Sequence, residues 1–315
     1  MRIRAGWLRI AGLILLGVLL WKLDTSAVFA AIKRIAPSFL ILAILLNIPQ
    51  IFIKALRWRF LMLAQGIQYS AKNAALSYFG SIFIGLLTPG RLGEFVKTIH
   101  VSHDCGIPAS RAFPSVLVDR LFDLYALLLF GSTALLAGSH QKSKALLFAE
   151  SALLLILPLI AILHQATFQR IQTWGMKAGK FGKKFFGEGS WLQELRNFLL
   201  TLRWNHILVA SVLTTIAYAI FFGQCYLLAI GLGMNIDFLK VCFAVSLGSL
   251  VTLIPISISG LGTREAVMIT YLGRSGISPE LSLGFSLLVF VTFYVAGGLI
   301  GAIAWFIKPV PLKEE

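Results

Sequence analysis

Long apolar runs joined by short, mostly basic links dominate this chain. Each run is continuous rather than alternating, which suits membrane-crossing helices of about 20 residues and not barrel strands of about 10. In order, the runs predict spans over Gly6–Leu23, Pro37–Leu56, Ala112–Ala137, Ala145–His164, Ile207–Gly231 and Leu281–Ile307. Lys54, Arg57 and Arg59 flank Trp58 near the end of the second run. That grouping predicts a membrane interface, where tryptophan and cations collect.

Two apolar stretches do not run through. Ala74–Leu87 ends at Thr88-Pro89-Gly90-Arg91-Leu92-Gly93-Glu94, which packs a helix breaker, two glycines, a cation and an anion together. Phe238–Ile254 ends at Pro255-Ile256-Ser257-Ile258-Ser259-Gly260-Leu261-Gly262-Thr263-Arg264-Glu265, a looser echo of the first. The second arms, Leu92–Val101 and Ala266–Leu272, are too short to cross. Ala74–Ser102 and Phe238–Leu272 are therefore predicted to be re-entrant helical hairpins. Irregular backbone at membrane depth survives only when buried in protein or lining a wet cavity. The predicted class is an all-α polytopic membrane protein: about six spanning helices plus two oppositely inserted re-entrant hairpins, six to eight membrane segments in all, forming an inverted repeat. Gly80-Ser81-Ile82 and Gly248-Ser249-Leu250 precede the two breaks and support the repeat weakly.

Composition agrees. The 315 residues are 58% hydrophobic and 13% charged, about half the charge of a soluble domain. No polar stretch is long enough for a separate soluble core, so residues 1–315 read as one integral membrane domain. The formal net charge of +15 would suggest nucleic acid in a soluble protein. Here cytoplasmic basic loops and anionic lipid explain it better, and no nucleic-acid partner is expected. A cytoplasmic N-terminus places Arg57, Arg59, Lys72, the long loop and the C-terminal lysines inside, so both termini are cytoplasmic. In that loop, residues 165–205, Phe168, Ile171, Trp174, Ala178, Phe181 and Phe185 recur at helical steps beside Lys177, Lys180, Lys183 and Lys184. A basic amphipathic helix lying on an anionic membrane surface is predicted there.

Charged residues inside the apolar runs are candidate chemistry, because each unpaired charge at the bilayer centre costs roughly 2.5–3.5 kcal/mol on insertion scales. Arg91 and Glu94 share a helix face, as do Asp119 and Asp123, with Arg120 three residues from Asp123. These can form interhelical salt bridges or a site. A helix arm starting after Gly90 or Gly262 presents free N–H groups that bind phosphate or carboxylate. Arg91 and Arg264 beside the breaks add forked phosphate recognition. Thr88, Ser257, Ser259 and Thr263 offer hydroxyls. Glu94 and Glu265 can titrate or simply pair with the neighbouring arginines. The candidate substrate-binding set is Thr88, Pro89, Gly90, Arg91, Gly93, Glu94, Asp119, Arg120, Asp123, Ser257, Ser259, Gly260, Gly262, Arg264 and Glu265, and a phosphate-bearing lipid headgroup is the expected ligand. Cys105, Cys225 and Cys242 and the five histidines show no metal-ligand spacing, and no nucleotide loop or nucleophile emerges. No cofactor and no catalysis are expected.

Leu86-Leu87-Thr88-Pro89-Gly90-Arg91-Leu92-Gly93-Glu94, Val118-Asp119-Arg120-Leu121-Phe122-Asp123 and Ser259-Gly260-Leu261-Gly262-Thr263-Arg264-Glu265 together resemble the signatures of the lysylphosphatidylglycerol synthase transmembrane family. This is the flippase-like region found N-terminal in the multiple peptide resistance factor. Thr263 and Ser259 depart from its commoner small residues. The resemblance implies translocation of a phospholipid or lipid-linked sugar across a prokaryotic cytoplasmic membrane. The alternative it leaves open is a non-transporting membrane partner of a glycosyltransferase or lipid-synthesis enzyme. No aminoacyltransferase domain follows Glu315, so aminoacyl-lipid synthesis by this chain is not expected.

Overall fold

The computed structural model describes residues 15–33, 35–88, 90–137, 160–177, 190–253 and 259–310. All regular elements among them are helical. α1 (Leu15–Lys22) meets α2 (Thr25–Lys33) at a bend of 90°. Asp24 causes the bend. Its carboxylate accepts hydrogen bonds from the Ser26 and Ala27 amides at 2.9 and 3.2 Å, which starts a new helix where a loop was expected.

Pro37 opens α3, which runs 28 residues to Ala64, past the expected end at Leu56. The interface reading of its charged end is overturned. Arg57 and Trp58 are fully buried and Lys54 nearly so. The Trp58 indole donates to Ser115 Oγ at 3.2 Å. These cations find carboxylates inside the protein, so the helix has no reason to stop where they occur. Arg57 therefore drops out of the loop-charge argument for orientation.

Ser70 caps α4 (Ala71–Leu87) through the Asn73 amide. The chain then turns, forms a 3-10 segment over Leu92–Val96, and continues as α5 (Lys97–Cys105). The two arms are antiparallel. A Cβ on Gly93 would lie 2.5 Å from the Ile84 carbonyl oxygen, and the Tyr69 hydroxyl donates to Asp104 at 2.6 Å. The chain therefore leaves at the end it entered. α6 (Ala109–Ala137) follows.

After α7 (Gln165–Met176) and α8 (Trp191–Thr201), the order repeats: α9 (Trp204–Gly231), a second hairpin of α10 (Phe238–Thr252) and α11 (Thr263–Gly273), then α12 (Pro279–Ile307). The second hairpin also folds back, with the Phe243 and Tyr271 rings 4.3 Å apart. α12 holds a π segment at Phe290–Val295.

The halves interlock. α3 crosses α9 antiparallel: Ala43 meets Gln224, Arg57 meets Thr214, and Phe60 meets His206. α4 packs on α12 and α10 on α6, so each hairpin leans on the last helix of the other half. The hairpin mouths point to opposite ends. Tyr69 and Asp104 sit with Lys308 at the C-terminal end of α12, whereas Gly231, just before the second hairpin, packs on Ile35 and Phe39 near the start of α3.

Among the described residues three helices, α3, α9 and α12, are long and apolar enough to cross a membrane, and the bent α1–α2 pair makes up to four. α6 has the length, 29 residues, but carries Asp119, Arg120 and Asp123. The expected span Ala145–His164 lies outside the described residues up to Leu159. Within the expected basic loop, α8 buries Leu195 and Phe198 against Leu61, Val118 and Ala210. Phe168 is buried with Arg196 5.0 Å above its ring, whereas Trp174 is 78% exposed. Part of the apolar face predicted for lipid is thus used by protein. Phe181, Phe185 and the lysines from 180 to 184 lie outside the described residues.

Candidate functional site

The first break and α6 build one buried ion cluster. Gly90 and Arg91 turn the chain with φ of 59° and 57°. For a non-glycine residue that left-handed turn costs roughly 1–2 kcal/mol. The surroundings hold it: Gly93 N–H donates to Thr88 Oγ1 at 2.7 Å, and Glu94 N–H to the Arg91 carbonyl at 3.1 Å. Thr88 therefore stabilises the turn internally. Gly93 must be glycine because its Cα abuts the Ile84 backbone.

Glu94 is buried and paired with Arg91 Nε at 2.8 Å and with Arg120. Asp119, fully buried, accepts from Arg57 Nε at 2.9 Å through one oxygen and from Lys97 Nζ at 2.9 Å through the other. Asp123 accepts from Arg57 at 3.0 Å and faces Lys54 at 3.2 Å. Arg57 also donates to Thr214 Oγ1 at 2.9 Å, tying α3, α6 and α9 at one point. Lys97 Nζ sits 3.9 Å from the Tyr78 ring centre and 4.9 Å from that of Trp58.

The sequence pointed to Arg91, Glu94, Asp119, Arg120 and Asp123, and the structure brings all five together. It adds three that the sequence reading missed as site residues: Lys54, Arg57 and Lys97. The full cluster among the described residues has five cations (Lys54, Arg57, Arg91, Lys97, Arg120) against three carboxylates (Glu94, Asp119, Asp123), leaving two positive charges in excess.

That excess borders a cavity of ≈ 220 Å³ between the two halves. Lys54, Arg91, Arg120 and Asp123 supply its charged wall, and Ser249 and Thr252 of the second hairpin face them. Leu121, Leu124 and Phe221 are among its apolar lining.

The second break is placed differently. Arg264 and Glu265 are fully buried, paired with each other, and both bonded to Ser286 Oγ at 3.2 Å. Glu265 also accepts the Gly262 N–H at 2.6 Å. The helix N-terminus that could have taken an external anion is thus capped by the chain's own carboxylate. Gly260 and Gly262 adopt φ of 76° and 82°, which side chains resist. Ser259 Oγ donates to the Leu86 carbonyl at 2.7 Å, so the tips of the two hairpins touch. Arg264 and Arg91 both lean on Tyr294, at 5.2 and 5.1 Å from its ring centre. Arg91 faces the cavity, and Arg264 stands outside its lining. Pro89 and Ser257 lie outside the described residues. Among the described residues no group of three or more acidic, histidine or cysteine side chains forms a metal site.

Known proteins resemble the chain along most of its length. A UPF0104 membrane protein of Pyrococcus horikoshii is 25% identical over 303 residues, covering 89% of this chain and 90% of that one. One of Methanocaldococcus jannaschii is 25% identical over 289 residues, covering 86% and 85%. One of Methanothermobacter thermautotrophicus is 20% identical over 336 residues, covering 99% and 98%. The model of the lysylphosphatidylglycerol synthase TM region matches residues 7–301, so the chain is a membrane protein of that family.

Proposed function

We propose that this chain moves a phosphate-bearing lipid, or a lipid-linked sugar, across a prokaryotic cytoplasmic membrane. The observation that carries the reading is the two-charge excess around a cavity bounded by both hairpins. Two uncompensated cations away from water are costly. An anionic headgroup offsets them, and its tails remain in the bilayer. In this reading the hairpins are re-entrant, and the antiparallel crossing of α3 and α9 reflects an inverted repeat about a midplane site. That is an architecture of alternating-access carriers. The exposed Trp174 and basic residues of the 165–205 segment rest on the anionic inner leaflet.

Mass spectrometry of lipid that co-purifies with the protein tests the ligand. The double change Lys54→Met with Arg91→Gln removes both excess charges. Every carboxylate keeps a partner, because Arg57 remains on Asp123 and Arg120 on Glu94. The parent should retain anionic phospholipid and the folded variant should lose it. Equal retention by both would sink the proposal.

A further inference from the structure

Three buried amide side chains line the inner faces of α3 and α9. Asn47 donates to the Thr292 carbonyl at 2.8 Å, and Gln224 to the Ala43 carbonyl at 2.8 Å. Gln50 differs. It is 1% exposed and borders the cavity, yet neither its Nε2 nor its Oε1 has a hydrogen-bond partner. A fully orphaned amide next to a cavity is rare in proteins and needs a reason.

We propose that Gln50 reads a hydroxyl on the headgroup, so that the preferred ligand is a phosphodiester whose second ester is a polyol or sugar. The inference rests on the phosphate-binding reading above and names the substrate class within it. Gln50 lies four residues before Lys54 on α3, hence on the same face, with Cβ atoms about 5–6 Å apart. A phosphate held by Lys54, Arg91 and Arg120 thus places its attached group beside the amide. An amide offers donor and acceptor together, and a hydroxyl answers both. A second phosphate would face Oε1 with like polarity. A quaternary ammonium offers no hydrogen bond, and a primary ammonium meets the excess positive charge of the wall. At ≈ 220 Å³ the cavity has room for more than a bare ion.

Binding of three short-chain phosphodiesters of equal charge to the purified full chain tests this: phosphatidylinositol, phosphatidylglycerol and phosphatidylethanol. The first carries a ring polyol, the second an open one, and the third no hydroxyl. The parent should bind at least one hydroxylated lipid about tenfold more tightly than phosphatidylethanol, roughly the worth of one hydrogen bond. The tighter of the two identifies a ring or an open headgroup. Gln50→Leu should bring that ratio to about one by weakening the hydroxylated lipids, and Gln50→Met, which keeps the side-chain length, should do the same. Equal affinity for all three in the parent overturns the inference, as does a tenfold preference surviving in both variants. If none of the three binds, or if Lys54→Met with Arg91→Gln leaves phosphatidylethanol binding unchanged, the phosphate-cavity reading itself has failed. That result is distinct from a lost hydroxyl preference.

Discussion

Asp119→Asn keeps the side chain's shape and removes its charge, and the structure sets the size of the effect. Asp119 serves two fully buried cations, Arg57 and Lys97. Arg57 retains Asp123 at 3.0 Å. Lys97 loses its carboxylate and keeps only the faces of Tyr78 and Trp58. Breaking one partner from a buried pair costs about 3–5 kcal/mol. The second carboxylate on Arg57 and the two rings under Lys97 put the expected loss at the lower end, about 3 kcal/mol. For a chain of this size that is roughly a 4–5 °C fall in melting temperature. Thermal unfolding of the detergent-solubilised protein, followed by tryptophan fluorescence, reads it. Adding Lys97→Met to Asp119→Asn removes the stranded ammonium and should recover at least about 1 kcal/mol as coupling between contacting residues. A single variant melting within about 2 °C of the parent, or a double variant that is merely additive, would refute the pairing.

Gly93→Ala drives a methyl to 2.5 Å from the Ile84 carbonyl oxygen and should cost about 1–3 kcal/mol by overpacking. Gly223→Ala, within α9 and with nothing within 4 Å, should be neutral or stabilising in the same melting assay. At the hairpin mouth, burial opposes ionisation of Asp104, but bonds from Lys308 and Tyr69 hold its carboxyl below the ordinary 3.8. A depressed carboxylate stabilises above its ordinary value and stops doing so as pH falls through its folded one. The parent should therefore lose melting temperature as pH falls below about 4, and Asp104→Asn should lack that component. Single cysteines at His103 and Arg274 should react with impermeant reagents from opposite faces of the membrane; labelling from one face contradicts hairpins opening to opposite sides.

Much of the site was legible because its signals are local. The break residues declare themselves by their type, and Arg91 with Glu94, or Asp119 with Asp123, share a face by spacing alone. Lys54 and Arg57 look like interface cations in the sequence because a Trp beside cations at the end of an apolar run has that meaning by default. Their partners lie on α6, far along the chain, where periodicity is silent. A charge tally could have found them. Arg91 and Arg120 against Glu94, Asp119 and Asp123 leave a carboxylate unmatched, so further buried cations were required. Asn47, Gln50, Lys54 and Arg57 also fall on one face of an otherwise apolar helix, a pattern with no purpose at a lipid surface. The placement of Arg264 could not be read. Its neighbour Glu265 can face outward or cap its own helix, and only packing against Ser286 decides.

The central claim is that two excess positive charges draw a lipid phosphate into the cavity between the hairpins and carry it across. Its most direct test reconstitutes the parent and the Lys54→Met, Arg91→Gln variant in liposomes containing fluorescent anionic phospholipid, then measures loss of inner-leaflet probe to a membrane-impermeant quencher. The account predicts protein-dependent lipid movement with the parent, and movement slowed more than tenfold with a variant that melts normally. Movement at the parental rate in that neutralised variant, or none above protein-free liposomes with the parent, would contradict it.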